Sequence, residues 1–234
     1  MDSRLLTDNI TKVRSRISAA VTAAERDPAS VELIAVSKTK PASLIEQAYA
    51  EGLRHFGENY VAEALEKINL CQHLSICWHF IGPLQSNKTR SVAEHFDWIH
   101  SIDRLKLARR LNDQRPKSLP PLNICLQTNL DQEPTKSGIT DDAELTDLMT
   151  AISEMPRLQL RGLMAIPPAN NNSSSQRHAF AKVRELSLQH CAPLGANELS
   201  MGMSGDLEAA IAEGATMVRI GTDIFGTRYT ARPK

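Results

Sequence analysis

Eight short apolar runs alternate with stretches of helical periodicity along this chain of 234 residues, and few folds accept that order. The runs are Val31–Lys38, Leu53–Gly57, Cys77–Gly82, Asp97–Ile102, Leu122–Leu130, Leu158–Ile166, Glu198–Met201 and Met217–Gly221. Between them apolar residues return every three or four positions, as in Leu44, Ile45 and Ala48, or Leu207, Ala210 and Ile211. Strands separated by helices pair in parallel, and eight such units close as a single (β/α)8 TIM barrel of the α/β class. The other common form, an open doubly wound sheet, lacks its GxGxxG motif here. An extra N-terminal helix, Ser3–Arg26, precedes the first strand. No linker is long enough to divide the chain, so residues 1–234 read as one domain.

The first strand belongs to VELIAVSKTKP, Val31–Pro41. Apolar residues fall on both of its faces, as in a strand buried on two sides. Alternation puts Lys38 on the face of Ile34 and Val36. Desolvation there would lower the amine's pKa, as Schiff-base chemistry with an aldehyde requires. The plain alternative is a lysine that snorkels to solvent from a strand end.

Barrel function collects at the C-terminal ends of the strands, and phosphate binds most often after strands seven and eight. Those loops are SMGMSGD (Ser200–Asp206) and RIGTDIFG (Arg219–Gly226). Gly202 and Gly221 permit close backbone approach, and Ser200, Ser204 and Thr222 add hydroxyls. A helix starting near Ser204 would aim its N-terminus there, although Asp206 and Glu208 in its first turn would repel a phosphate. If Val218 and Ile220 face the helices, Arg219 faces the barrel interior and needs a partner. A ligand phosphate, a ligand ring nitrogen or a carboxylate such as Glu58 would serve. His79 reads as a hydrogen-bonded core residue, and Lys136 as a second, solvated amine on a polar loop. ANNNSSS, Ala169–Ser175, reads as a mobile surface loop.

Lys plus Arg and Asp plus Glu number 27 each, so the chain is neutral. Neutrality argues against nucleic acid or an acidic membrane as partner. The four cysteines form no CxxC and the seven histidines no HExxH, so no metal is expected. Reduced thiols, a charged N-terminus and the lack of a long apolar run point to a cytoplasmic protein.

Several segments resemble the pyridoxal-phosphate homeostasis proteins of the YggS/PROSC type. They are AVSKTKP (35–41), FGENYVAEA (56–64), WHFIGPLQSNK (78–88), KSGI (136–139), RGLMAI (161–166), LSMGMS (199–204) and VRIGTDIFG (218–226). The resemblance implies an alanine-racemase-like barrel of fold type III, without the racemase's second domain. It implies pyridoxal 5'-phosphate (PLP) held as a Schiff base on Lys38. It places Ser200, Gly221 and Thr222 at the phosphate, with Arg219 and Asn59 near the cofactor; Met201 and Ser204 complete the expected binding set.

Two function classes follow. The resemblance implies a carrier that buffers PLP and delivers it to PLP-requiring apo-enzymes, without turnover and with no catalytic residue, and the chain is expected to be a monomer. The alternative is a PLP-dependent amino-acid racemase or related enzyme. A racemase needs proton-transfer groups on both faces of the substrate carbon. Lys38 could supply one. The tyrosines are Tyr49, Tyr60 and Tyr229, of which Tyr60 follows Asn59 near a strand end.

Overall fold

A computed structural model describes residues 3–130, 137–167 and 172–227. The strands are β1 (Glu32–Val36), β2 (His55–Glu58), β3 (Cys77–Phe80), β4 (Trp98–Ile102), β5 (Leu122–Thr128), β6 (Leu158–Ala165), β7 (Glu198–Ser200) and β8 (Met217–Ile220). All pair in parallel and in chain order, and β8 returns to β1 to close the barrel. The helices are α1 (Ser3–Ala23), α2 (Ala42–Ala50), α3 (Val61–Leu70), α4 (Thr89–His95), α5 (Leu105–Gln114), α6 (Asp142–Ser153), α7 (Ser173–His190), α8 (Leu207–Ala212) and α9 (Thr222–Phe225). The barrel expected from the alternation is therefore the fold. No helix among the described residues is long and apolar enough to cross a membrane.

Period-two alternation divides each strand between two layers. Leu33, Ala35, Phe56, Phe80, Val218 and Ile220 face the helices and form the main core. Ile34, Cys125, Met164 and Met217 fill the barrel interior instead. Two expected helix starts near the strand-end loops move. Asn172 Oδ1 accepts the N–H groups of Ser174 and Ser175, so Ser173–Ser175 open α7 rather than ending a loop. The rest of the expected mobile loop lies at or beyond the edge of the described residues, as Lys136 does. The helix expected from Ser204 starts at Leu207, because residues 203–206 form a turn closed by the Met203 N–H on Asp206 Oδ1 at 2.6 Å. The short α9 carries too little apolar pattern to announce itself in the sequence.

A polar column crosses the barrel interior. His55 Nδ1 lies 2.9 Å from His79 Nε2, and His79 Nδ1 lies 2.9 Å from His100 Nε2. His100 Nδ1 lies 2.7 Å from Ser200 Oγ, which accepts from Arg219 Nη1 at 2.7 Å. His79 is thus the hydrogen-bonded core residue that its strand position suggested. Burial lowers the pKa of His79 well below its usual value and that of His100 to about 3. Both rings fold neutral and bind a proton once unfolded. Their contribution to stability is present above pH 6.5 and is lost as pH falls from there toward the folded value. The expected loss approaches about 1.4 kcal/mol per pH unit for each ring. Urea unfolding at pH 7 and pH 5 checks it, since His100→Asn has one ring fewer to titrate and must show a shallower pH dependence.

The barrel mouth and its lysine

Lys38 lies half-buried in the turn that follows β1. Its neighbours on both sides are held from the helix layer. The Ser37 hydroxyl donates to Glu58 Oε1 at 2.6 Å, and Lys67 Nζ of α3 donates to the Ser37 carbonyl at 2.8 Å. The Thr39 N–H donates to Glu63 Oε1 at 2.5 Å. Lys67 Nζ also bonds Glu58 Oε1 at 2.8 Å and Glu63 Oε1 at 2.5 Å, so three side chains form one clamp. Thr39 needs it, because its φ of 64° is left-handed and costs a residue with a Cβ roughly 1–2 kcal/mol. Glu58 is fully buried, and desolvation raises its pKa even against the pull of Lys67. With Ser37 engaged on the helix side, the backbone offers Lys38 the opposite, barrel side.

The end of β8 adjoins this turn. Lys40 Nζ donates to the carbonyls of Gly226 and Thr227 at 3.2 and 3.1 Å. A Cβ on Gly221 would stand 3.3 Å from Val36 Cβ and from the Val36 carbonyl oxygen, so β1 would have to give by a few tenths of an ångström to admit one. Thr222 is exposed at the start of α9; the Ile224 and Phe225 N–H groups donate to the Gly221 carbonyl at 3.1 and 2.8 Å, which leaves those of Thr222 and Asp223 without an acceptor within the helix. After β7, Gly202 has φ 96°, and a Cβ there would meet Ala210 Cβ at 2.6 Å. Ser204 is half-buried, and its carbonyl accepts from Arg16 Nη2 at 3.0 Å. Arg16 of α1 also pairs with Glu208 at 2.7 Å and Asp223 at 2.5 Å. Of the two acidic groups that threatened a phosphate, Glu208 is thus paired by a helix at the other end of the sequence, while Asp206 Oδ1 accepts the Met203 N–H.

Arg219 and Ser200 lie deeper. Arg219 is buried inside the barrel, as the alternation of β8 required. Its Nη1 donates to the carbonyl and hydroxyl of Ser200, and its Nη2 to the Ala165 carbonyl at 2.9 Å. Burial lowers the guanidinium pKa to about 10, against the attraction of Asp206. Its partners are therefore protein oxygens rather than Glu58, which Lys67 occupies. The Ser200 hydroxyl is already engaged by Arg219 and His100. Met201 is buried with its side chain in the layer between sheet and helices, and its N–H donates to the Met217 carbonyl at 3.1 Å.

A cavity of about 250 Å³ opens at the mouth, lined by Asn59, Ile81, Pro83, Gln127, Thr128, Ser137 and Ile166. Asn59 Oδ1 is buried there without a hydrogen-bond partner. An unmet acceptor in a concave mouth is what a ligand donor would satisfy. Gly82 holds Asn59 in place: a Cβ on Gly82 would fall 2.3 Å from the Asn59 carbonyl oxygen. Gly82→Ala is therefore expected to cost about 1–3 kcal/mol by overpacking. It should also weaken whatever binds the mouth, which thermal unfolding with and without ligand would show.

Lys38, Asn59, Ser204, Gly221 and Thr222 thus stand around the mouth, while Arg219 and Ser200 lie beneath it. Sequence reading missed Lys67 and Glu63 in the clamp and His100 behind Ser200. For Lys67 the signal was present, since step-four spacing puts it behind Glu63 on α3.

Residues 6–229 match the family model of the alanine racemase N-terminal domain. The chain is 56% identical over 228 residues to the pyridoxal phosphate homeostasis protein of Pseudomonas aeruginosa, covering 97% of this chain and 98% of that one. It is 54% identical to the protein of the same name from Escherichia coli, covering 94% and 95%. Among solved structures it resembles PipY of Synechococcus elongatus with PLP bound, at a TM-score of 0.82 and 40% identity, covering 94% of this chain and all of that one. Alanine racemase from Corynebacterium glutamicum shares the fold alone, with a TM-score of 0.68 and 15% identity over 99% of this chain and 63% of the racemase. By its matched length and identity, the chain belongs to the pyridoxal phosphate homeostasis protein family, built on the alanine racemase N-terminal-domain fold.

Proposed function

We propose that this chain binds PLP at the barrel mouth through Lys38 and holds it for delivery to PLP-requiring apo-enzymes, without turnover. The observation that carries the reading is the clamped turn. A lysine is fixed at the mouth of a parallel barrel, beside the glycine-bearing end of β8, with a buried cation below. When bound, PLP supplies an aldehyde for condensation with an amine and a phosphate for recognition. The residues present fit both. Lys38 is the amine, and the Thr222 and Asp223 N–H groups with the Thr222 and Ser204 hydroxyls are donors for the phosphate. Asn59 contributes a buried acceptor without a partner. Arg219 keeps a fixed positive charge beneath the mouth; Ser200 orients it, and Met201 and Gly221 shape the loop backbones.

The tyrosines support a carrier over a racemase. Tyr49 is used elsewhere, with the Arg54 guanidinium 3.8 Å from its ring centroid and its hydroxyl accepting the Ser75 N–H. Tyr60 is 51% exposed, and Tyr229 lies outside the described residues. The test loads the purified chain with PLP and follows transfer to a PLP-requiring apo-enzyme. Release is expected to be faster to the apo-enzyme than to buffer, with no interconversion of D- and L-alanine. Racemisation that disappears in Lys38→Ala would overturn the carrier reading.

A further inference from the structure

We propose a second binding site, for a thiophilic divalent cation such as Zn²⁺, at the opposite end of the barrel. Its ligands are His55 Nδ1, Cys77 Sγ and His79 Nε2. One ligand atom from each of the three residues lies within 4.8 Å of the other two. His55 and Cys77 open β2 and β3, so the group sits at the floor of the barrel, where the strands begin. Register pairs His55 directly with Cys77, and His79 follows Cys77 by one period on the same face. No zinc-site spacing marks this set in the sequence, because the third ligand comes from a neighbouring strand.

The distances are close to those of a tetrahedral centre. Bond lengths near 2.3 Å to sulfur and 2.05 Å to nitrogen give edges of roughly 3.6 Å for S···N and roughly 3.3 Å for N···N. Cys77 Sγ lies 3.4 Å from His79 Nε2, and His55 Nδ1 lies 2.9 Å from it. The cation therefore has to open both of these edges by a few tenths of an ångström, while the third edge, between Cys77 and His55 and within 4.8 Å, closes onto it. Outer partners are already in place. Ligating histidines donate their other ring N–H to a carboxylate, carbonyl or second ring, which fixes their orientation. His55 Nε2 stands 3.6 Å from Glu32 Oε2, and His79 Nδ1 stands 2.9 Å from His100 Nε2. His55 and Cys77 are each only partly buried, and His55 and Glu32 line a cavity of about 370 Å³ that gives an entry path. Binding releases the Cys77 thiol proton to solvent, since the thiolate is the ligand. It also fixes His79 as the Nδ1–H tautomer donating to His100. Imidazole and thiolate donors favour zinc over magnesium or calcium. The site rests on none of the PLP chemistry at the mouth.

The experiment uses the full, tag-free chain, stripped with a chelator and titrated with Co²⁺ and then Zn²⁺. One Co²⁺ per chain is expected, with a thiolate-to-cobalt charge-transfer band in the near ultraviolet that Zn²⁺ displaces. Cys77→Ser should abolish the band, and Glu32→Gln, which removes only an outer partner, should weaken binding by about tenfold. Lys38→Ala should leave the band unchanged. If neither ion is retained, or if the band survives Cys77→Ser in a variant shown to be folded by circular dichroism, the proposal is overturned.

Discussion

Borohydride reduction of the PLP-loaded chain is expected to leave a pyridoxyl group on Lys38 and on no other residue, and Lys38→Ala to reduce that label to background. The expectation rests on competition among three amines near the mouth in the described residues. Lys67 is buried and held by three oxygens, so its nitrogen is committed to a clamp. Lys40 is engaged by two carbonyls across the β8 loop. Lys38 alone combines partial burial with a backbone that directs it to the barrel side. Because the turn is fixed by Ser37, Glu58, Glu63 and Lys67 rather than by Lys38, the substitution should change stability by no more than about 1 kcal/mol. Peptide mapping after reduction decides it. A label on Lys40 or Lys67, or one that persists in Lys38→Ala, would move the site elsewhere.

Lys67→Met should be the most destabilising single change at the mouth. It leaves the Glu58 carboxylate buried without its cation, a class of change that costs about 3–5 kcal/mol. It also removes the donor to the Ser37 carbonyl, so the Thr39 strain is less well held and PLP labelling of Lys38 should slow. Replacing both partners, in Glu58→Leu with Lys67→Met, should recover much of the stability, since a buried pair exchanged for apolar groups of similar size is often nearly neutral. Labelling should stay slow in the double variant, because the clamp is still missing. The pH dependence has a definite sign. The Glu58 carboxyl is raised by burial above 4.5, its ordinary value. A raised carboxyl contributes stability that is present below that value and lost as pH rises through the folded pKa. The penalty of Lys67→Met relative to wild type should therefore shrink toward pH 4. Urea midpoints of the three proteins at pH 7 and pH 4.5 would show it, and a penalty independent of pH would contradict the assignment.

The elements were legible because each is written in local periodicity. Alternation in MVRIG alone placed Arg219 inside the barrel. What alternation cannot give is the partner across the sheet. Arg219 was open to a phosphate, a ring nitrogen or Glu58; Glu58 pairs with Lys67, and the protein partners of Arg219 are oxygens of β6 and β7. Ser200 looked like a loop hydroxyl, but the last position of a strand can point inward, where His100 of β4 reaches it. On α3 apolar residues recur at Val61, Ala64, Leu65 and Ile68, yet a core-facing position belongs to Lys67. An ion pair buried beneath a turn breaks the apolar rule that reveals helices. The candidate site was thus legible as a lysine, two loops and an arginine; the clamp behind the lysine was not.

The bracing of the β7 and β8 loops by Arg16 has a further consequence. Arg16 reaches Asp223 across 207 positions of sequence, and β1 finds its second neighbour only in β8. During synthesis the opening helix and strand must leave the ribosome with one edge bare until almost the whole chain has followed. Translation arrested before Met217 would yield an unsealed sheet, a natural client for chaperones or proteases. The cofactor mouth would then be the last part of the molecule to come into being.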